Sequence, residues 1–264
     1  MGVSEGEGDF AAMNMPITGS RSELGRLLSA QGAASNIHFN IAGQQANTQL
    51  HDGHAWQDFS RTALAGVRRA LRTDADLLVH ASFAFVHGWP DKDPLRSIAQ
   101  TILDCENLVL AGPIPTCVVR LGYLYGPESR DLLAYRKAFR IGRPYWAGPR
   151  NALHHHLHLH DAVGALAKAA RAGNAGKVFY ATDGTPVAFS QFMDDFARRV
   201  GNPLPLHVPR IATALIKLVV RKEHMQQVAL AMPAQKPLPR VPGWKPRYAD
   251  HHEGLDQTFT AWGA

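Results

Sequence analysis

Cysteine is scarce in this chain, with two in 264 residues, Cys105 and Cys117. Both sit in apolar periodic segments and read as buried reduced thiols, which argues against a disulfide-stapled secreted scaffold. Long hydrophobic runs are missing too: no stretch reaches the ~18 consecutive apolar residues of a membrane span. The first residues, MGVSEGEGDFAAMN, are small, polar and acidic. They have neither the basic start nor the apolar centre of a secretory signal, so a cytoplasmic location is expected. No internal repeat is visible. The 28 Lys and Arg against 22 Asp and Glu leave a net charge of +6. The basic residues are scattered in short pairs such as Arg68 and Arg69, without interleaved aromatics. Nucleic acid is therefore not an expected partner. A mild positive field favours anionic ligands such as dinucleotides.

What is present is an alternation of helical and strand-like segments, which argues for an α/β domain with a mostly parallel sheet. Strands are expected at NIHFNIAG (36–43), ADLLVHAS (75–82), PTCVVRLGYLYG and KVFYAT. Between them Phe59, Ala63, Val67 and Leu71 recur at helical spacing, as do Ile98, Ile102, Cys105 and Leu108. Asp161 reads as the cap of one helix and Ser190 as the cap of another. Gly201 ends the second, whose Phe192, Met193, Phe196 and Val200 should face inward. PLPLHVP (203–209) reads as an edge strand, because proline is excluded from sheet interiors. The apolar stretch 211–220 reads as a core helix.

Several segments resemble the extended short-chain dehydrogenases, the NAD-dependent epimerase/dehydratase family. LLVHASFAFVHG is similar to that family's vvyvSSaavYG, and VVRLGYLYGPES to ilRlgnvYGPg. LHLHDAVGALAKAA resembles HvdDvaralvlAl, and GWKPRYADHHEGLDQT resembles LGwkPrytleeGLaet. The resemblance runs from about Asn36 to the C-terminus. It implies a Rossmann-like sheet, truncated at its N-terminal side, with a small C-terminal substrate lobe and a ligand cleft between. The expected divisions are a flexible N-terminus (1–15), the truncated Rossmann-like domain (16–150) and the C-terminal lobe (151–264).

The stretch ITGSRSELG is one residue from the family's cofactor loop TGxxGxxG: Thr18, Gly19 and Gly25 match, and Ser22 replaces the middle glycine. Gly25 and Ser82 are 57 positions apart, a spacing shorter than the family's by about one βαβ unit of ~30 residues. Two registers fit. In one, Thr18, Gly19, Ser22 and Gly25 form the cofactor loop, with Arg120 and Pro127 completing an NAD or NADP site. In the other, preferred because no β-branched run precedes the loop, the family's first strand, its helix and its second strand are all absent, and TGSRSELGRLLSAQGAASNIHF is similar to the family's later Dlrdpealaaal.gvdvVihlA. Thr18 or Ser20 then caps a helix with Glu23 in its first turn.

The family's catalysis uses a Tyr as acid/base, a Lys four residues on that lowers its pKa, and a Ser or Thr that orients substrate. Counting back from Glu106 places Ile98 and Ile102 at the Tyr and Lys positions. Ser82, His87 and Tyr125 are the remaining candidates for catalytic groups. The run NALHHHLHLHD puts five histidines in one stretch. The resemblance explains His158 and Asp161 as a strand end and helix start, so no metal site is expected.

These observations define two functional classes. One is an NAD(P)-dependent epimerase, dehydratase or reductase acting on a nucleotide-linked or small carbonyl substrate, with degenerate or absent catalysis. The other is a non-catalytic binding or structural subunit of the same fold, a pseudoenzyme, or a gene fragment. Either is expected to form a homodimer or a larger complex.

Overall fold

A computed structural model describes residues 16–31, 36–44, 55–86, 96–140, 153–201 and 239–263. The N-terminal residues 1–15, His87, the edge segment 203–209 and the helix expected at 211–220 lie outside the described residues.

The chain begins with β1 (Ile17–Thr18), α1 (Glu23–Ala30), β2 (Ile37–Asn40), α2 (Ala55–Ala70) and β3 (Leu77–Phe83). It continues through α3 (Arg96–Leu110), β4 (Thr116–Leu121), β5 (Tyr123–Tyr125), α4 (Arg130–Arg140), β6 (Leu153–His154) and β7 (His156–His158). The last elements are α5 (Leu159–Ala169), β8 (Val178–Ala181), β9 (Val187–Ala188), α6 (Phe189–Val200) and α7 (His251–Ala261). Strands β1, β2, β3, β4 and β8 form one five-stranded sheet in that order, parallel throughout. Two short pairs, β5 with β7 and β6 with β9, stand beside it.

All seven residues of β3 are buried. That is the expected consequence of a parallel strand covered on both faces. Alternation then sorts its side chains. Leu77, Val79 and Ala81 join Cys117, Val119 and Leu121 in a core beneath α1 and α5. Leu78 and Val118 face the opposite core, built from Phe59, Ala63 and Val67 of α2 and Ile102, Cys105 and Val109 of α3. A third core holds Tyr125, Leu132, Phe139, Phe192, Met193, Phe196, Leu255 and Phe259. The inward face expected of α6 is thus present, and Gly201 closes that helix with φ of 81°. Both cysteines are free and buried. Burial pushes the Cys117 thiol up to about 12, so it stays an apolar filler rather than a nucleophile. Among the described residues no helix is long and apolar enough to cross a membrane.

Three expectations are corrected here. The first strand is present: Ile17 and Thr18 pair in parallel with Phe39 and Asn40. The helix expected to start at Asp161 starts at Leu159, with His158 as its cap. Asp161 instead accepts the backbone N–H groups of Arg247 and Tyr248, at 2.8 and 3.0 Å. Ser190 lies inside α6, whose cap position is Ala188.

One buried polar network crosses the sheet. Arg120 of β4 forms a fork on Glu106 of α3, with Nε to Oε1 at 2.8 Å and Nη2 to Oε2 at 2.5 Å. Its Nη1 donates to the Tyr180 hydroxyl of β8. Ser82 of β3 donates to the same Glu106 carboxylate. Removing one partner leaves a buried charge uncompensated, which costs about 3–5 kcal/mol. Arg120→Met and Glu106→Gln should each lower unfolding free energy in urea by roughly that amount. The double replacement Arg120→Met with Glu106→Leu should recover most of the loss, because no lone charge remains.

Candidate functional site

The opening turn is built by its glycines and one hydroxyl. Gly19 has φ of 95°, and a Cβ there would meet the Ala42 nitrogen at 3.0 Å. A Cβ on Gly25 would lie 2.6 Å from the Gly19 carbonyl oxygen. Only glycine lets helix α1 fold this closely onto the end of β1. Ser22, at the position of the missing middle glycine, is the N-cap of α1. Its Oγ donates to the Gly19 carbonyl at 2.8 Å and accepts the Gly25 N–H at 3.0 Å. The cap is therefore Ser22, where Thr18 or Ser20 was expected; Thr18 Oγ1 instead meets His38 Nε2 at 2.8 Å. Glu23 does stand in the first turn. The stretch is thus a strand, a glycine turn and a capped helix at once.

A small cleft, with a cavity volume of about 20 Å3, lies against this turn and opens to solvent. It is lined by the first residues of three helices: Ser22, Glu23 and Leu24 at α1, Ser129, Arg130 and Asp131 at α4, and Leu159 at α5. Gln44, beyond β2, and Leu124 complete it. Helix N-termini present backbone N–H groups and the positive end of the helix dipole, an arrangement that favours anions. The chain also places carboxylates there. Glu23 is buried, and its Oε1 lies 2.9 Å from Nε of the exposed Arg130. Burial holds the Asp131 carboxyl well above the usual carboxylate range, and Glu23 pushes it the same way. Gln44 donates its Nε2 to the Ser82 carbonyl, while its buried Oε1 has no partner. Asp131 Oδ2 is unpartnered as well. These atoms can meet the hydroxyl or amide groups of a ligand.

The candidate residues named from sequence divide sharply. Thr18, Gly19, Ser22 and Gly25 make up the turn, and Ser22 lines the cleft. Arg120 is committed to Glu106 and Tyr180, so its guanidinium is unavailable to a cofactor. Pro127 is half-buried, and its carbonyl accepts from Trp262 Nε1 at 2.9 Å. Ser82 is buried with its hydroxyl on Glu106, which removes it from substrate orientation. Tyr125 belongs to the third core, wedged against Gly254, where a Cβ would meet its hydroxyl. Burial pushes its phenol far up, and the carboxylates of Asp183, Asp161, Asp250 and Glu253 add to the shift, which is unsuited to acid/base work near neutrality. Ile102 is a core residue of α3. Sequence reasoning missed Gln44, Ser129, Arg130 and Asp131. The SRD triplet after a Pro-Glu turn carries a cap signal, since Ser129 Oγ accepts the Leu132 N–H at 3.3 Å.

The Tyr125 hydroxyl is buried without a hydrogen-bond partner. Tyr125→Phe should therefore hold or raise stability, within ~1 kcal/mol, because it removes a polar group that gains nothing by burial. A loss above ~2 kcal/mol in urea unfolding would assign that hydroxyl a bonded role.

No family profile matches the chain. A 3-diazoavenalumate denitrifying reductase from a Streptomyces species is 29% identical over 188 residues, covering 70% of this chain. The chain spans 58% of that relative's length. Among solved structures, the human epimerase family protein SDR39U1 with NADPH superposes with a TM-score of 0.73 at 15% identity, covering 93% of this chain and 99% of that one. RMD from Pseudomonas aeruginosa with NADPH gives 0.64 at 16%, covering 94% and 98%. The Bordetella bronchiseptica enzyme WbmG with NAD and UDP gives 0.63 at 14%, covering 96% and 95%. The fold is that of the extended short-chain dehydrogenases and NAD-dependent epimerases.

Proposed function

We propose that the chain is an NAD(P)-binding protein of the epimerase and reductase type, acting on a nucleotide-linked or small carbonyl compound. The observation that supports this most is the cleft framed by three helix N-termini, one of them fed by a parallel strand and a glycine turn. The residues fit a dinucleotide. The backbone at Glu23 and Leu24 and the N-terminus of α4 would hold the pyrophosphate, with Arg130 as a cation at the rim. Gln44 Oε1 and Asp131 would meet ribose hydroxyls or a carboxamide. A bound nicotinamide supplies or accepts a hydride. Ser82, Ile102 and Tyr125 do not supply the family's acid/base apparatus, so any proton in the reaction comes from elsewhere.

Glu23 sets the affinity. A pyrophosphate at the head of α1 lies close to this carboxylate, and Arg130 neutralises it. Quenching of tryptophan fluorescence by NADH and NADPH tests the proposal. Saturable binding below ~100 μM supports it, and no binding at ~1 mM overturns it. Glu23→Gln should tighten binding about tenfold, and Arg130→Ala should weaken it by a similar factor.

A second reading, a dinucleotide-binding relative without turnover, is favoured by the commitment of Ser82, Ile102 and Tyr125 to the interior. Binding without NADPH oxidation across a panel of aldehydes, ketones and nucleotide sugars would select it. Oxidation of NADPH by any of them would reject it.

A further inference from the structure

We propose that Asp195, His251 and His252 form a binding site for a first-row divalent cation such as Zn2+, joining the start of α7 to α6. The site lies outside the cleft and does not depend on dinucleotide binding. One ligand atom from each residue lies within 4.8 Å of the others. Asp195 Oδ2 is 2.8 Å from His251 Nε2 and 3.8 Å from His252 Nε2. Tetrahedral zinc with bonds of ~2.0–2.2 Å separates its ligand atoms by roughly 3.3–3.5 Å. The first distance must open and the second close by about half an ångström, within the range of side-chain rotation.

The backbone prepares this geometry. Asp250 caps α7, accepting the His252 and Glu253 N–H groups at 2.8 and 3.0 Å. The two rings therefore leave adjacent positions of a fixed first turn, with centroids 4.0 Å apart. Arg198 Nη1 donates to Asp195 Oδ1, which orients the carboxylate and leaves Oδ2 toward the rings. His251 faces Asp195 through Nε2, the atom that would ligate the cation. On ligation through Nε2 the ring proton moves to Nδ1, a buried atom that has no partner now. The set of two imidazoles and one carboxylate suits zinc and leaves a fourth position open. The exposed His252 marks the entry path.

His156 of β7 is an independent sign that a polar ligand belongs here. It is fully buried, both ring nitrogens lack a hydrogen-bond partner, and its ring lies 6.2 Å from that of His251. It stacks on Phe192 at 4.4 Å. An imidazole left this way is unfavourable, a cost that a ligand or its bound water would offset.

The test is titration of the chelator-treated full chain with Zn2+ by calorimetry and with Co2+ by visible absorption, which reports four-coordination. One equivalent is expected, with a rise in melting temperature. His252→Ala, a change at the surface that spares the core, should weaken binding at least tenfold and abolish the rise. Asp195→Asn should do the same. The double variant His154→Ala with His155→Ala should bind as the native chain does, which separates this site from adventitious uptake by the histidine-rich strand. Uptake only above ~1 mM, unchanged binding in His252→Ala, or loss confined to the His154 and His155 variant would each overturn the proposal.

Discussion

The ion pair between Glu106 and Arg120 holds the centre of the molecule. It ties α3 to β4, and through Ser82 and Tyr180 it reaches β3 and β8. Four elements are thus fixed relative to one another by groups that cannot be exposed singly without large cost. The same pair decides the chemistry available above it. Ser82 spends its hydroxyl on Glu106, and Ile102, one turn ahead of Glu106, packs into the core that α3 shares with α2. Neither side chain is among those that line the cleft at the head of α1.

Two electrostatic effects compete in that cleft, and their sizes show which residue decides. Each helix N-terminus contributes about 0.3–1 kcal/mol toward an anion, so three contribute roughly 1–3 kcal/mol. A carboxylate about 4 Å from a phosphate charge opposes binding by about 4 kcal/mol at an effective dielectric of ~20. Glu23 unaided would cancel the three dipoles. Arg130 beside Glu23 removes that repulsion. The competence of the cleft therefore depends on one exposed guanidinium more than on the substitution of serine for glycine. Ser22 folds its hydroxyl back onto the turn and closes it.

The central strands and the α6 face were legible in the sequence because burial repeats along them. β3 is buried at every position and α6 at helical intervals, and both leave that pattern in residue type. Arg120, named from sequence for the cofactor site, instead pairs with Glu106, since a charge inside a strand must be compensated. β1 left no such trace. It is two residues long, follows Pro16, and exists through backbone bonds such as Phe39 N–H to the Pro16 carbonyl at 3.0 Å. Asp161 shows the same limit at longer range. Its local pattern reads as a cap, but its carboxylate serves N–H groups more than eighty positions away. Tyr125 reads as a catalytic candidate until Gly254 of α7 closes over it. Site residues were missed where the deciding partner is distant in sequence.

Helix α7 brings these features together. At its start His251 reaches Asp195 of α6, in its middle Gly254 seats the Tyr125 ring, and after its end Trp262 bonds the Pro127 carbonyl. Pro127 directly precedes the segment that supplies Ser129, Arg130 and Asp131 to the cleft. Arg136 of α4 lies over the Trp262 ring at 4.8 Å, a second hold on the same end. The helix is therefore a brace between α6 and the cleft rim, and its two ends are fixed by different physics. The Trp262 end rests on an indole hydrogen bond and a cation–π contact, both insensitive to metal. The His251 end rests on imidazole and carboxylate groups that bind protons or cations. A cation there stiffens the brace at the end away from the cleft, so the position of Arg130 over Glu23 is set by contacts at the other end.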